Sequence, residues 1–242
     1  MNDALDRAKL ALEGLSVGDA FGEQFLHAGP ATRAEIYGRR LTPGGARWQW
    51  TDDTAMALSI VEVLAARGTV DPNELAAAFA RRYAVDPGRG YGGGAHQVLA
   101  ELVSGTSYEV AARALFHGQG SCGNGGAMRA APVGAYFAGD PKRAADEARK
   151  SAQVTHAHAE GQAGAIAIAV AAAFVGVRPF PSGRDLLTET IAHVPPGPTR
   201  EGIATAASLD PSDVSGVFTN RRGRCITRLA SPGRNSLGPP SS

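Results

Sequence analysis

Apolar residues recur at helical spacing along most of this chain, and no segment alternates between apolar and polar residues as a half-buried strand does. In the first such segment Leu5, Ala8, Leu12 and Leu15 fall on one face, because an α-helix repeats about every 3.6 residues. Loops rich in Gly and Pro separate the periodic segments. The pattern therefore predicts an all-α fold.

Local signals place the boundaries of the predicted helices. Asp71 and Pro72 are typical of a helix start, since Asp caps free N–H groups and Pro fits the first helical position. An irregular segment from 29 to 50 is expected to form a lid or rim loop. The expected helices are Leu5 to Leu15, Ala55 to Arg67, Pro72 to Tyr83, Ala95 to Val103, Ser107 to Phe116, Ala127 to Phe137, Pro141 to Val154, Thr155 or His156 to Val177, and Ser182 to Ile191.

Composition bounds the class of protein. Aromatic residues make up only 6% of the 242 residues, so Ala, Val, Leu and Ile have to build the core of one domain, or at most two. The formal net charge of +1 gives no general reason to expect nucleic acid or an anionic membrane as a partner.

Cys122 and Cys225 fit no Cys-x-x-Cys pattern, and no signal peptide is evident. Because the apolar segment from Ala163 to Val177 is short for a membrane span, we expect a cytoplasmic location.

The composition changes after about Ala207. From there the helical periodicity fades, and Arg, Gly, Pro and Ser dominate. We therefore expect a domain at residues 1–207 and a disordered tail at 208–242. Such a tail is more often solvated than bound to nucleic acid, so no nucleic-acid partner is expected.

The most informative motif is Thr51-Asp52-Asp53-Thr54, directly before a predicted helix. Two adjacent carboxylates repel each other, and a hard cation such as Mg²⁺ would relieve the repulsion and take oxygen ligands from them. The alternative is purely structural, because Asp and Thr are favoured where a helix begins. The motif alone leaves both interpretations open.

A glycine-rich loop from Gly120 to Gly126 is the second candidate. Its bare backbone N–H groups, followed by a predicted helix, are suited to holding a phosphate or diphosphate. It is not a Walker A loop, and a tight loop between helices is the alternative. Farther along, His156 and His158 are two residues apart and do not share a helix face, so a zinc pair is not expected. His156 is expected to contact a ligand, with a capping or solvent-exposed role as the alternative.

Together these motifs resemble the ADP-ribosylglycohydrolase family, of the dinitrogenase reductase-activating glycohydrolase type. The matching segments lie in the family's order and within residues 5–180. They are Gly14 to Gly22, Trp50 to Leu58, Asn124 to Pro132, and Thr155 with His156. The resemblance implies a compact orthogonal multi-helix fold and a centre with two Mg²⁺ ions. It also implies hydrolysis of an N- or O-glycosidic bond of ADP-ribose in an ADP-ribosylated protein or small molecule.

The resemblance also implies roles for individual residues. Thr51, Asp52 and Asp53 would bind metal, and His156 would lie beside the ligand. A carboxylate, Asp53 or Asp19, would help to deprotonate the attacking water. The ligand loop would hold the ADP-ribose with Asn124, Gly125, Gly126, Ala127 and Met128.

The sequence departs from the family at two points. The family often has a Glu seven residues after the Asp that corresponds to Asp19, where this chain has Leu26. It also completes its metal site with an Asp-x-Asp-Thr motif near the C-terminus, which is missing here. We hypothesise a truncated or frame-shifted product whose native sequence ends near residues 205 to 216. Sequencing the parent locus tests this, and the hypothesis fails if no downstream frame encodes the motif.

The missing motif leaves three interpretations of function. The first is a Mg²⁺-dependent glycosidic hydrolase that has only half of its metal ligands and is inactive if that half does not suffice. The second is a non-catalytic protein that binds ADP-ribose or another nucleotide. The third is an all-α scaffold in which the motifs are coincidental. ADP-ribose binding and its metal dependence discriminate among them.

Overall fold

The chain was analysed as a computed structural model, which describes residues 3–26, 29, 35, 36, 38–41, 47–178 and 181–209. This part of the chain contains helices and no strand, which confirms the all-α prediction. The helices are α1 (Asp3–Leu26), α2 (Asp52–Arg67), α3 (Pro72–Val85), α4 (Gly93–Val103), α5 (Tyr108–Gly118), α6 (Ala131–Tyr136), α7 (Pro141–Gln153), α8 (Ala159–Val175), α9 (Gly183–His193) and α10 (Pro198–Ala207), with a 3₁₀ turn at Asn124–Gly126.

Helices α2 and α3 follow the local signals closely. Gly68 ends α2 in the left-handed region, with φ 69°, where the absence of a Cβ removes the steric cost. Asp71 caps α3 by accepting hydrogen bonds from the backbone N–H groups of Asn73 and Glu74. Helix α2 begins at Asp52, three residues earlier than expected, so the acidic pair lies inside its first turn.

The boundaries of three further predicted helices are wrong. The helix expected from Leu5 to Leu15 is α1, which continues to Leu26. The helix expected from Ala127 to Phe137 is only α6, because the glycine loop ends in a 3₁₀ turn and a further turn at residues 127–129 precedes the helix. The helix expected from Thr155 or His156 begins at Ala159 instead. His158 is its N-cap, since the His158 ring accepts a hydrogen bond from the Glu160 backbone N–H. Thr155 and His156 therefore lie in the irregular link between α7 and α8.

The long helix α8 lies at the centre of the fold and packs against α6, α7 and α9, while α1 packs against α2 and α6. Small residues allow these close approaches. A methyl group at Gly134 of α6 would overlap the carbonyl oxygen of Ala169 on α8, so the two backbones touch there. The main cluster of buried apolar side chains includes Ile60, Leu64 and Phe79, and much of the rest is alanine. The low aromatic content is thus matched by close packing of helix backbones.

Several predictions fall outside the described residues. The lid or rim loop at 29–50 is described only in part, and the tail predicted at 208–242 is described only for residues 208 and 209. Both stay predictions, as do the domain limits. Within the part of the chain that the structure describes, no helix is both long enough and apolar enough to cross a membrane.

Candidate active site

Asp19 of α1 holds the start of α2 in place. Its carboxylate accepts hydrogen bonds from the backbone N–H and the hydroxyl of Thr51, both at 2.7 Å. It also accepts from the backbone N–H of Thr54 at 3.2 Å and from the Thr54 hydroxyl at 2.6 Å. Thr51 makes no side-chain cap bond of its own, so a carboxylate from another helix satisfies the free N–H groups of α2.

This capping arrangement leaves Thr51 able to bind a cation. Its hydroxyl hydrogen is donated to Asp19, so the lone pairs of that oxygen remain available to a further partner. The backbone of Gly90 passes close by, with φ 84°, and a Cβ there would lie 3.6 Å from the Thr51 Cβ and 3.9 Å from Asp52 Oδ1. A glycine at this position keeps the space beside Thr51 and Asp52 open.

The negative charge of the acidic pair is only partly compensated. Burial, and then the charge of Asp53, raise the pKa of Asp52 to about 7, although the charge of Arg129 opposes the rise. Burial, and then the charge of Asp19, raise the pKa of Asp53 to about 6. Shifts of this kind arise where carboxylates crowd together in a partly buried place. The site therefore favours either protonation or the binding of a positive ion.

The donor set supplies only part of the ligands that a hard cation needs. Two carboxylates and one hydroxyl suit Mg²⁺, which is often bound by one or two carboxylates and keeps several waters. Among the residues that the structure describes, no three His, Cys, Asp or Glu side chains are grouped so as to hold a metal ion by themselves. Asp52, Asp53 and Thr51 could thus supply part of a coordination shell, with water or ligand oxygens supplying the rest.

The glycine loop wraps around the His156 ring. A Cβ at Gly125 would lie 2.7 Å from His156 Cε1, and a Cβ at Gly161 would lie 3.1 Å from His156 Cδ2. The first distance is too short for a side chain and the second is tight. A Cβ at Gly161 would also lie 2.5 Å from the Ser121 carbonyl oxygen, so glycine is needed at both positions. His156 is 7% exposed, and burial lowers its pKa to about 3. The ring is therefore neutral over the physiological pH range.

One cavity of about 180 Å³ brings the candidate residues together. Its wall combines the acidic end of α2, the glycine loop, the start of α4 and the link between α7 and α8. The lining residues predicted from the sequence are Asp52, Asn124, Gly125, Met128 and His156. Segments more than 100 residues apart in the chain, such as Asp52 and His156, therefore face one space.

Comparison with known proteins identifies the family and the fold. The sequence model of the ADP-ribosylglycohydrolase family matches residues 1–233. The chain belongs to the ADP-ribosylglycohydrolase family. A solved structure of an ADP-ribosylglycohydrolase-related protein complex superposes with a TM-score of 0.54 at 27% sequence identity, covering 84% of this chain and 68% of that one. This agreement confirms the family fold expected from the sequence motifs.

Three curated relatives illustrate the family. ADP-ribosylhydrolase ARH3 of Danio rerio is 41% identical over 140 residues, which is 55% of this chain and 38% of that protein. The Homo sapiens ARH3 is 43% identical over 121 residues, covering 48% and 33%. The ADP-ribosyl-(dinitrogen reductase) glycohydrolase of Rhodospirillum rubrum is 33% identical over 164 residues, covering 63% and 52%. The chain spans between a third and about half the length of these relatives.

Not every predicted site residue of this family member faces the same cavity. Thr51 lines a second, polar cavity together with Glu23, Trp50 and Gly90. Asn124 and Ala127 line a third cavity of about 340 Å³, whose wall is mainly apolar and belongs to α8, α9 and α10. The other three line none of these cavities; they are Asp53, Gly126 and Asp19.

Two of the cavity residues that were not predicted from the sequence have unusual environments, namely Phe116 and Arg129. Phe116 is 60% exposed and has a left-handed backbone, with φ 52° and ψ 51°, which is unusual for a bulky residue. Arg129 is fully buried and lines the same cavity. A sequence signal for Arg129 did exist, because it is the only Asp, Glu, Lys or Arg between Arg113 and Asp140. Phe116 had no such signal, since the apolar pattern suggested only the end of a helix.

Proposed function

We propose that this chain hydrolyses the glycosidic bond between ADP-ribose and a protein or small-molecule group. The observation that supports the proposal is the shared cavity, in which a carboxylate at a helix start faces a glycine loop and a neutral buried histidine. Family membership supplies the class of reaction, since the relatives of this chain are named as ADP-ribosylhydrolases.

The loop and its neighbours would bind the ADP-ribosyl group. Backbone N–H groups of Asn124 and Gly125 suit a diphosphate, because glycine lets an anion approach the backbone closely. His156 is neutral and lies against this loop, so one ring nitrogen is available as a donor to a ligand oxygen. The exposed ring of Phe116 offers a face on which a planar base could stack.

Thr51, Asp52 and Asp53 would hold Mg²⁺ beside this cavity. When bound, Mg²⁺ would orient the ribose hydroxyls and a water molecule near the anomeric carbon. The oxygen of water then bonds to that carbon as the bond to the leaving group breaks, and the leaving group takes a proton from solvent. Asp53 is the carboxylate that would accept the proton of the attacking water.

Asp19 fits a positioning role better than proton abstraction. Its two oxygens already accept four hydrogen bonds from Thr51 and Thr54. Both oxygens are therefore occupied in holding the start of α2. Of the two carboxylates predicted to act in catalysis, we therefore assign proton transfer to Asp53. We assign to Asp19 the alignment of the Thr51 and Thr54 backbone.

Calorimetric titration with ADP-ribose, with and without Mg²⁺, tests the proposal. We expect binding that strengthens with Mg²⁺ and weakens in the double variant Asp52→Ala/Asp53→Ala, together with Mg²⁺-dependent release of ADP-ribose from an ADP-ribosylated peptide. A folded chain that binds no ADP-ribose under either condition would contradict the proposal. Binding and release that do not depend on Mg²⁺ would remove the assigned metal role.

A non-catalytic ADP-ribose-binding protein is the second candidate. One observation favours it: the described residues supply only a partial metal site. The same titration discriminates, because this candidate predicts metal-independent binding without release of ADP-ribose.

A further inference from the structure

Arg129 is a buried cation whose hydrogen bonds all go to neutral groups. Its Nη2 donates to the backbone oxygen of Ser151 and to the hydroxyl of Thr155, both at 2.9 Å, and its Nη1 lies 3.4 Å from the sulfur of Met56. The guanidinium also lies 4.7 Å from the centre of the Phe79 ring. Burying a charge is costly, and the charge of Asp52, which lines the same cavity, offsets part of that cost. None of the hydrogen bonds of the guanidinium goes to a carboxylate, so its direction towards Thr155 needs a specific reason.

The Thr155 hydroxyl links Arg129 to His156. It lies 2.9 Å from Arg129 Nη2 and 2.7 Å from His156 Nδ1, and Thr155 is only 2% exposed. A guanidinium has donors and no acceptor, so the Thr155 oxygen accepts from Arg129. The oxygen has a second lone pair, but among the described residues Nδ1 is the one acceptor within hydrogen-bond distance of the Thr155 hydroxyl. We therefore direct the hydroxyl hydrogen at Nδ1, which makes Nδ1 the unprotonated ring nitrogen.

This chain of hydrogen bonds fixes which nitrogen of His156 faces the ligand loop. With Nδ1 acting as acceptor, a neutral ring carries its hydrogen on Nε2. Nε2 faces the loop, because a Cβ built at Gly125 would lie 3.1 Å from it and one at Gly123 would lie 3.8 Å from it. The burial that keeps the ring neutral also rules out a second ring hydrogen.

We propose that Arg129 and Thr155 are positioning residues that hold His156 in its Nε2–H tautomer. This N–H then donates to an oxygen of a ligand bound at residues 121–125 of the glycine loop. The inference deepens the proposed function and rests on it for the identity of the ligand. It explains why a buried cation stands here: a neutral donor in place of Arg129 would bind the Thr155 oxygen less strongly and orient it less firmly.

Nuclear magnetic resonance of the ligand-free chain tests the tautomer directly. The two ring nitrogens of a neutral histidine differ in ¹⁵N shift according to which one carries the hydrogen, and the His156 signals are those lost in His156→Gln. We expect Nε2–H in the wild type and in Thr155→Ser, which keeps the hydroxyl. We expect a mixture of tautomers in Thr155→Val, which removes the hydroxyl at nearly constant shape. An unchanged tautomer in Thr155→Val would overturn the proposal.

Titration with ADP-ribose tests the consequence for binding. Thr155→Val is expected to weaken binding in proportion to the Nε2–H tautomer that is lost, by about twofold for an even mixture, while Thr155→Ser retains the wild-type affinity. A second pair does not depend on how Thr155→Val folds. His156→Gln can place an amide N–H near the position of Nε2, whereas His156→Asn reaches only the position of Nδ1, so His156→Gln should bind more tightly.

The two sets of results separate failure of this inference from failure of the proposed function. If the wild-type chain binds no ADP-ribose, the proposed function is wrong, while the tautomer still decides whether Arg129 and Thr155 position the ring. If the tautomer changes in Thr155→Val and ADP-ribose binding does not, the inference is wrong and the proposed function stands. Equal binding by His156→Gln and His156→Asn would also overturn the inference.

Discussion

The carboxylate of Asp19 accepts hydrogen bonds from both the backbone N–H and the hydroxyl of Thr51, each at 2.7 Å. This relationship joins two helices, because Asp19 lies on α1 and Thr51 directly precedes α2. It fixes the first turn of α2, where the acidic pair lies, against the longest helix of the described chain. The candidate metal ligands are therefore held by a cap that comes from another part of the sequence.

Replacing Asp19 with Ala should destabilise the fold. The substitution removes the acceptor for both N–H groups at the start of α2, and lost caps cost about 1 to 2 kcal/mol. The free energy of unfolding from urea denaturation measures the loss. Asp6→Ala is the matched control, because Asp6 is exposed on the same helix. Equal stability of Asp19→Ala and Asp6→Ala would show that the cap contributes little.

Replacing Asp52 with Asn should have opposite effects without and with Mg²⁺. Without metal at pH 8, loss of the charge beside Asp53 should raise the stability by on the order of 1 kcal/mol, since solvent screens these half-buried carboxylates. With Mg²⁺, the wild type should gain stability through binding and the variant should gain much less. Thermal denaturation at several Mg²⁺ concentrations measures both effects.

The control for this substitution is Asp71→Asn. Asp71 is also an Asp at a helix start, and Asn caps a helix about as well as Asp. This variant should therefore match the wild type in its response to Mg²⁺. A wild-type stability that does not change with Mg²⁺, in a sample shown to be folded, would contradict the metal assignment to Thr51, Asp52 and Asp53.

Local sequence signals sufficed where a helix is determined by its own residues. Gly68 and Asp71 act within their own turns, so the end of α2 and the start of α3 were predictable. The acidic pair was correctly placed at a helix start for the same reason. The shared cavity had no local signature, and only the family resemblance brought Asp52, Asn124 and His156 into one site before the structure did.

Predictions failed where contacts distant in sequence decide the local conformation. Thr155 and His156 are not helical, since the Thr155 hydroxyl is bound by Arg129, 26 residues earlier in the chain. Asp19 and Thr51 are 32 residues apart, and no periodicity reports such a pair. The left-handed backbone of Phe116 is equally invisible in the sequence, because that conformation is expected for Gly or Asn and not for an aromatic residue.

His156 should make the stability of the fold depend on pH. Burial lowers its pKa to about 3, so the unfolded chain binds a proton at this residue more readily than the folded chain does. The contribution of neutral His156 is fully present above pH 6.5 and is lost as the pH falls towards 3. Urea denaturation at several pH values should show a slope for the wild type that exceeds that of His156→Gln by up to about 1.4 kcal/mol per pH unit.

The control for the pH series is His117→Asn. His117 is exposed and has φ 59°, a conformation that Asn tolerates well. Its removal should leave the pH dependence of the wild type unchanged. If His156→Gln and the wild type lose stability in parallel between pH 6.5 and 4, His156 is not buried as a neutral ring.

Replacing Gly125 with Ala should damage the ligand loop. The new methyl group would lie 2.7 Å from His156 Cε1, and the ring cannot move away freely because Thr155 holds Nδ1 and Gly161 packs against its other side. Overpacking of this kind costs about 1 to 3 kcal/mol, so both the free energy of unfolding and the ADP-ribose affinity should fall.

The control for this substitution is Gly202→Ala. Gly202 lies within α10, and a Cβ at this position would meet open space. That variant should be at least as stable as the wild type, because Ala favours a helix over Gly. If Gly125→Ala behaves like Gly202→Ala in both measurements, the ring does not lie against the loop, and the loop and His156 do not form one binding site.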